Sequence, residues 1–228
     1  MSIMPIWIKI CGNTSLEDAR LAVDAGADAV GFVFAPSPRR VTAAEAASIV
    51  AHLPATVEKI GVFVDAELDE ICSTVSVSGL TGVQLHFEAS QELLSKLRER
   101  LGPEVRILCV VHFDAGTAQL VAQQIAQHVR NPRVDAVLVD TRIGAAVGGT
   151  GVTFDWSEAR KTVFCDTGRL KLIAAGGLSP ANVAEAIAAL SPWGVDVVSG
   201  VEAEPGRKDG AKVREFVARA RDVDVAKL

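Results

Sequence analysis

The chain has 228 residues, of which 49% are hydrophobic and 22% are charged, so it can bury a large core. Its net charge is −5 at neutral pH and it has no run of basic residues, which argues against nucleic acid as a partner. It lacks both an 18-residue apolar span and the signature of a signal peptide. We therefore expect a cytoplasmic protein that binds neither nucleic acid nor membranes.

The four cysteines, Cys11, Cys72, Cys109 and Cys165, are scattered along the chain. They form no C-x-x-C pair, and no histidine stands at ligand spacing from them. This usage is typical of a reduced intracellular protein and predicts neither a zinc site nor a disulfide scaffold.

Short apolar runs alternate with amphipathic segments along the whole chain. The apolar runs predict eight strands, over Trp7–Ile10, Ala29–Phe34, Lys59–Val64, Gly82–Leu85, Arg106–Val110, Ala136–Val139, Leu170–Ala174 and Val195–Val198. The segments with helical periodicity predict eight helices, over 16–25, 43–53, 67–76, 90–101, 116–130, 156–162, 180–190 and 210–221.

Eight predicted strands, each followed by a helix and rich in Val, Ile and Ala, favour a closed parallel barrel. We expect an α/β fold in which residues 1–228 form a single (β/α)8 domain. A doubly wound open sheet is the alternative. Its glycines would form G-x-G-x-x-G after the first strand, and residues 11–15 do not have that pattern.

Glycines end the last two predicted strands. Gly176 and Gly177 follow the seventh strand, and Ser199 and Gly200 follow the eighth. Glycine lets backbone amides approach an anion closely, and these two loops of a barrel commonly form a phosphate site. The sequence therefore predicts phosphate binding here, although the glycines would also suit plain tight turns.

The first predicted strand carries two candidate functional residues. Because side chains alternate along a strand, Lys9 and Cys11 share one face while Ile8 and Ile10 share the other. The isoleucines suit the side that faces the helices, so Lys9 and Cys11 should point into the barrel. A neighbouring lysine favours a thiolate, so we predict that the pKa of Cys11 is lowered, either by Lys9 or by the local dipoles. An inert buried cysteine is the alternative.

Three more polar side chains follow predicted strands, where the chemistry of barrel enzymes is located. Partial burial of Asp140, after the sixth strand, would favour the protonated form that a proton donor needs, although it could instead cap a turn. His86, after the fourth strand, would line the mouth or join the core. Arg40, after the second, could bind a carboxylate or remain a solvated surface residue.

The longest predicted connection between a strand and a helix runs from residue 140 to residue 155 and contains four glycines. Such a composition is typical of a mobile active-site loop. The backbone amides of Gly149, Thr150 and Gly151 could face an anion.

Several segments then combine into a recognisable order. They are Lys9–Thr14, Gly26–Phe34, Gly82–His86, Leu138–Thr141, Gly148–Gly151, Phe154–Trp156, Ala175–Leu178, Val198–Glu202 and Pro205–Asp209. Together they resemble the phosphoribosylanthranilate isomerase family, from Lys9 to about Phe216. The glycine turns recur in many phosphate-binding barrels, whereas the Lys-Ile-Cys-Gly opening combined with the Ser-Gly-Val-Glu ending is specific.

The resemblance implies an Amadori rearrangement in tryptophan biosynthesis, without metal or organic cofactor. The substrate would be N-(5-phosphoribosyl)anthranilate and the product 1-(2-carboxyphenylamino)-1-deoxyribulose 5-phosphate, an aldose-to-ketose isomerisation that is the third step from chorismate. Besides this phosphosugar, the expected partner is at most a second copy of the chain. The sequence leaves monomer and homodimer open, because exposed faces of barrel helices look the same as interfaces in it.

The resemblance also implies residue roles. Asp140 would protonate the ribose ring oxygen, Cys11 would remove the proton from ribose carbon 2, and Arg40 would bind the anthranilate carboxylate. The phosphate would lie on the turns that contain Gly176, Gly177, Ser199 and Gly200, beside the loop at Gly149–Gly151. Lys9 and His86 would support the site.

Two positions depart from the family pattern, and two rival functions remain. Phe87 stands where the family usually has glycine, and Val152 stands where it usually has a lysine near the mobile loop. The related barrel isomerase of histidine biosynthesis uses aspartate at the position of Cys11, so this cysteine argues against that activity. A phosphosugar-binding barrel without catalysis would be indifferent to Cys11→Ser.

Overall fold

The structure, a computed structural model, describes residues 5–113, 117–141, 156–164 and 168–223. Eight parallel strands form a closed barrel in chain order, and β1 closes the ring by pairing with both β2 and β8. They are β1 (Trp7–Ile10), β2 (Ala29–Val33), β3 (Glu58–Phe63), β4 (Gly82–Leu85), β5 (Arg106–Phe113), β6 (Ala136–Thr141), β7 (Lys171–Ala175) and β8 (Gly194–Val197).

Helices connect successive strands outside the barrel. They are α1 (Leu16–Asp24), α2 (Ala43–Val50), α3 (Leu68–Ser78), α4 (Gln91–Leu101), α5 (Ala118–Val129), α6 (Trp156–Thr162), α7 (Val183–Leu190) and α8 (Gly210–Arg221). The predicted barrel is confirmed, and its elements agree with those of the structure to within three residues. Among the described helices, none has the length and apolar character needed to cross a membrane.

Alternation along β1 divides the core as predicted. Ile8 and Ile10 belong to the large apolar cluster between the strands and the helices, whereas Trp7 joins a smaller cluster inside the barrel. Lys9 also points inward, where its ammonium group bonds to side chains of β4 and β8. Cys11, two residues after Lys9 and just beyond the end of β1, is therefore placed at the mouth formed by the carboxyl ends of the strands.

A short segment after β8 was not predicted. Ser199–Val201 form a 3-10 turn, and β9 (Glu202–Glu204) pairs antiparallel with β10 (Arg207–Lys208). Its strands are too short to give a readable sequence pattern. This hairpin ties the end of the chain to its start, because Lys208 Nζ donates to the carbonyl of Cys11 at 2.6 Å.

Candidate active site

A cavity of about 420 Å³ opens at the carboxyl ends of the barrel strands. Among the predicted site residues described in the structure, it brings together Cys11, His86, Asp140, Gly176, Gly177 and Ser199. Four other described polar residues, which were not predicted as site residues, also line it: Ser37, Arg39, Gln84 and Asp196. The cavity thus combines reactive side chains with the two glycine turns.

An ion pair lies beneath Cys11 inside the barrel. Lys9 Nζ donates to Asp196 Oδ1 and to Gln84 Oε1, each at 2.9 Å. Burial alone would lower the pKa of Lys9, but the negative charges of Asp196 and of a Cys11 thiolate outweigh it and raise that pKa. Lys9 is therefore a fully buried, charged ammonium group.

The prediction that the Cys11 thiol has a lowered pKa is wrong for the protein without substrate. Burial raises the pKa of Cys11, and the neighbouring Lys9 lowers it by a smaller amount, so the net shift is upward. Desolvation wins because the side chain is almost completely buried in the protein. The neighbouring Lys9 lowers the pKa of Cys11 as predicted from the sequence, but the larger effect of burial depends on the folded structure.

The thiol fits only because β2 has glycine beside it. A Cβ atom at Gly31 would lie 2.5 Å from Cys11 Sγ, far inside van der Waals contact. The backbone of Cys11 is held as well, since its amide donates to the carbonyl of Val197 at 2.9 Å. The sulfur therefore has a fixed position at the floor of the cavity.

Removing the positive charge of Lys9 and removing the negative charge of Asp196 should shift the pKa of Cys11 in opposite directions. Lys9→Met is expected to raise the pKa of Cys11 further, and Asp196→Asn is expected to lower it, because these side chains act on the thiolate with opposite signs. The rate of iodoacetamide alkylation at Cys11 as a function of pH, with the peptide identified by mass spectrometry, measures this pKa.

Both variants need a stability check, because each leaves one partner of the buried ion pair alone, at a cost of about 3–5 kcal/mol. The double variant Lys9→Met/Asp196→Asn removes both charges and is the matched control. A thiol pKa that stays the same in both single variants would exclude electrostatic control by this pair.

Asp140 lies at the carboxyl end of β6 and faces two histidines. Its Oδ2 is 3.8 Å from His112 Nδ1, and the rings of His112 and His86 are 5.0 Å apart between centroids. Burial, together with His112, lowers the pKa of His86, so its imidazole is neutral at neutral pH. His86 lines the mouth, which is one of its two predicted positions, whereas the turn that Asp140 could cap lies outside the described residues.

The two glycine turns form one wall of the cavity. Gly176 and Gly177 have φ angles of 89° and 61°, which favour glycine, and Asn182 Nδ2 donates to the carbonyl of Gly177. Gly200 packs so closely on this turn that a Cβ atom there would clash with the carbonyl oxygen of Leu178. The turns after β7 and β8 are therefore packed against each other at the carboxyl ends of adjacent strands.

The arginines of the loop between β2 and α2 have separate environments. Arg39 lines the cavity and makes a bidentate pair with Glu202, at 2.8 and 2.6 Å. Lys208 donates to the same carboxylate at 3.1 Å. Arg40, the predicted carboxylate ligand, is exposed and is not part of the cavity lining. The structure thus does not bring Arg40 together with the other predicted residues.

Other predictions fall outside the described residues. Gly149, Thr150, Gly151 and Val152 lie there, so the predicted loop next to the phosphate is not described. Phe87, the other departure from the family pattern, is described. It packs against the large apolar cluster between the strands and the helices.

Sequence reasoning missed several polar residues of the site. Asp196 interrupts the apolar run of β8, and an acidic residue at an inward position of a buried strand could have revealed the partner of Lys9. Glu202 and Lys208 belong to the segments that carry the family resemblance, but nothing in those segments indicates that the two side chains form an ion pair. His112 gave no local signal at all.

The fold and the cavity define an enzyme of the (β/α)8 barrel class, with its reactive groups at the carboxyl ends of the strands. The family model for N-(5'-phosphoribosyl)anthranilate isomerase matches residues 8–219. The chain belongs to this family. It is an isomerase that converts N-(5'-phosphoribosyl)anthranilate in tryptophan biosynthesis.

Individual relatives agree with this assignment. The N-(5'-phosphoribosyl)anthranilate isomerase of Geobacter sp. strain M21 is 45% identical over 94% of this chain and 97% of its own length. A solved phosphoribosyl anthranilate isomerase in complex with reduced 1-(o-carboxyphenylamino)-1-deoxyribulose 5-phosphate is 36% identical, with a TM-score of 0.78, over 94% of this chain and 98% of its own. Monomers generated from the dimeric enzyme of Thermotoga maritima are 37% identical, with a TM-score of 0.77, over the same shares.

Proposed function

We propose that the chain carries out its rearrangement with Asp140 as the general acid and Cys11 as the base. Asp140 donates a proton to the ribose ring oxygen, which opens the ring to a Schiff base. The Cys11 thiolate then removes the proton from ribose carbon 2, and the enolamine tautomerises to the ketone. The observation that supports these roles is that both side chains, from opposite regions of the barrel ring, line one cavity.

The raised pKa of Cys11 has a place in this proposal. In the free protein Cys11 is a protonated thiol, so it must lose its proton before it can act as the base, and the buried Lys9 ammonium stabilises the thiolate that results. Lys9 is then a positioning residue that acts through Cys11. His86, neutral beside Asp140, lines the same wall.

We infer that the phosphate group binds to the turns that contain Gly176, Gly177, Ser199 and Gly200. The turns offer backbone amides at the ends of adjacent strands. Gly176 and Gly177 have positive φ angles, a backbone conformation that residues with a side chain rarely adopt. Amides of Gly149, Thr150 and Gly151 would complete the site.

We propose that Arg40 binds the anthranilate carboxylate by rotating its exposed side chain over the cavity. Its neighbour Arg39 is held by Glu202, whereas no ion pair holds Arg40 among the described residues. The two residues follow β2 in a turn whose backbone pairs Val33 with Arg40, so a guanidinium group can reach the mouth from there.

Arg40→Ala is expected to raise KM by about 10- to 100-fold with a smaller change in kcat, because a charged hydrogen bond to the substrate contributes about 1.5–3 kcal/mol. Steady-state kinetics measure both constants, and Arg40→Lys should recover only part of the affinity. Arg39→Ala is the matched control and should chiefly lower the melting temperature. If Arg39→Ala raised KM and Arg40→Ala did not, Arg39 rather than Arg40 would bind the anthranilate carboxylate.

The direct test of the activity follows the loss of phosphoribosylanthranilate fluorescence after addition of the purified wild-type protein. Turnover that depends on Cys11 and Asp140 supports the proposed roles. Binding of the reduced product analogue without any turnover would instead support a phosphosugar-binding barrel.

We further propose that residues 1–228 form one barrel domain that acts in the cytoplasm as a monomer or a homodimer. Cys11, Cys72 and Cys109 are unpaired, which suits a reducing compartment. The dimeric form of the Thermotoga maritima relative supports the homodimer as one of the two states.

A further inference from the structure

Two histidines and one carboxylate meet at the rim of the cavity. His86 follows β4, His112 lies near the end of β5, and Asp140 lies near the end of β6, so they come from three adjacent strands. One potential ligand atom of each lies within 4.8 Å of those of the other two. His112 and Asp140 are directly paired in the register of β5 and β6.

The kind of ligands selects the kind of ion. Imidazole suits zinc, copper, nickel and iron, whereas magnesium and calcium prefer sites built from oxygen atoms alone. Two histidines and one carboxylate leave open positions in the coordination sphere, which water or a substrate oxygen can fill. His86 and Asp140 line the cavity, so these open positions would face it.

The ligand atoms of the three side chains would have to move closer together to bind an ion. Bond lengths of about 2.0–2.1 Å in a tetrahedral zinc site place ligand atoms about 3.4 Å apart. The three ligand atoms lie within 4.8 Å of one another, with 3.8 Å between His112 Nδ1 and Asp140 Oδ2. The side chains of His112 and Asp140 are 39% and 24% exposed, so both have room to rotate inward. The nearby Lys9 ammonium is already neutralised by Asp196, which reduces its repulsion of a cation.

We propose that His86, His112 and Asp140 form a binding site for a transition-metal ion such as Zn²⁺, and that the bound ion inhibits the isomerase. Inhibition follows because Asp140, once it is a metal ligand, has no proton to donate. This second part rests on the proposed role of Asp140 as the general acid, whereas binding of the ion does not.

Binding is tested without activity, in Cys11→Ser protein, so that the thiol in the cavity does not compete for zinc. Zinc titration by calorimetry should show a site that is lost, or weakened at least about 10-fold, in Cys11→Ser/His112→Ala. Cys11→Ser/His52→Ala is the matched control, since His52 is an exposed histidine just after α2. An equal zinc affinity in all three proteins would overturn the proposal.

Inhibition is tested with otherwise wild-type protein, each variant being compared with its own metal-free rate. Micromolar Zn²⁺ should inhibit, EDTA should restore the rate, and Mg²⁺ at the same concentration should have no effect. The half-inhibitory Zn²⁺ concentration should rise at least about 10-fold in His112→Ala and stay unchanged in His52→Ala.

The outcomes separate the two ideas. Inhibition that His112→Ala leaves unchanged would come from zinc bound elsewhere, for example at Cys11, and would overturn the proposal that this site inhibits the enzyme. Binding that depends on His112 without any inhibition would overturn the inhibitory effect, and full activity of Asp140→Asn would overturn the role of Asp140 itself.

Discussion

Cys11→Ala is expected to lower kcat by about 10²–10⁴-fold, the usual contribution of a general base. The variant loses the group that removes the proton from ribose carbon 2, and a methyl group cannot replace it. Binding should change little, because the phosphate turns and the loop that carries Arg40 are untouched. The fluorescence assay under saturating substrate measures kcat, and a titration with the reduced product analogue measures affinity.

Controls for this result come from the chain itself. Cys11→Ser keeps the shape of the side chain but replaces the thiol with a much weaker acid, so it should be nearly as impaired as Cys11→Ala. Cys72→Ala changes another cysteine, on α3 outside the barrel, and should keep its kcat. If Cys11→Ala retained a tenth or more of the wild-type kcat, another group would have to be the base.

The second large effect is expected for Asp140→Asn, which should also lose about 10²–10⁴-fold in kcat. The amide has nearly the shape of the carboxyl group and accepts or donates hydrogen bonds, but it cannot transfer a proton to the ring oxygen. Ring opening is then left to water. The same assay measures this loss, and unchanged affinity for the reduced product analogue, whose ring is already open, would show that the site is intact.

Asp135→Asn is the matched control for this variant. Asp135 precedes the same strand at its amino end, where its carboxylate pairs with Arg98 at 2.6 Å. Asp135→Asn, which removes this carboxylate, should lower the melting temperature and leave kcat unchanged. Asp140→Asn with wild-type kcat, or Asp135→Asn with a catalytic loss as large, would contradict the assignment.

The barrel could be predicted from the sequence because its pattern is repeated and local. Strands that are buried on both faces are continuous apolar runs, such as Val137 to Val139. In the helices between them, apolar residues recur at the spacing that places them on one face. The inward direction of Lys9 followed from the same alternation. The glycine turns after β7 and β8 could be recognised because positive φ angles favour one residue type.

The rest of the site depends on side chains that meet only after the chain has folded. Arg39, after β2, reaches Glu202, after β8, past the end of β1, and their separation of 163 residues in the chain gives no spacing that relates the two. The pKa of Cys11 depends on how deeply it is buried, which a count of neighbouring charges does not give. The histidine and carboxylate cluster was missed for a similar reason, because spacing rules detect ligands on one turn or helix, whereas these stand on three strands.

The bond from Lys208 to the carbonyl of Cys11 has a consequence for how the protein is made. Lys208, which holds the carbonyl of Cys11, follows it by 197 residues, and β8, the neighbour of β1, is the last of the eight barrel strands in the chain. A nascent chain therefore carries its reactive thiol without the surroundings that orient it until these segments have been made. The site is complete only after β8 and the hairpin have joined β1, so proteolytic removal of the hairpin would abolish activity.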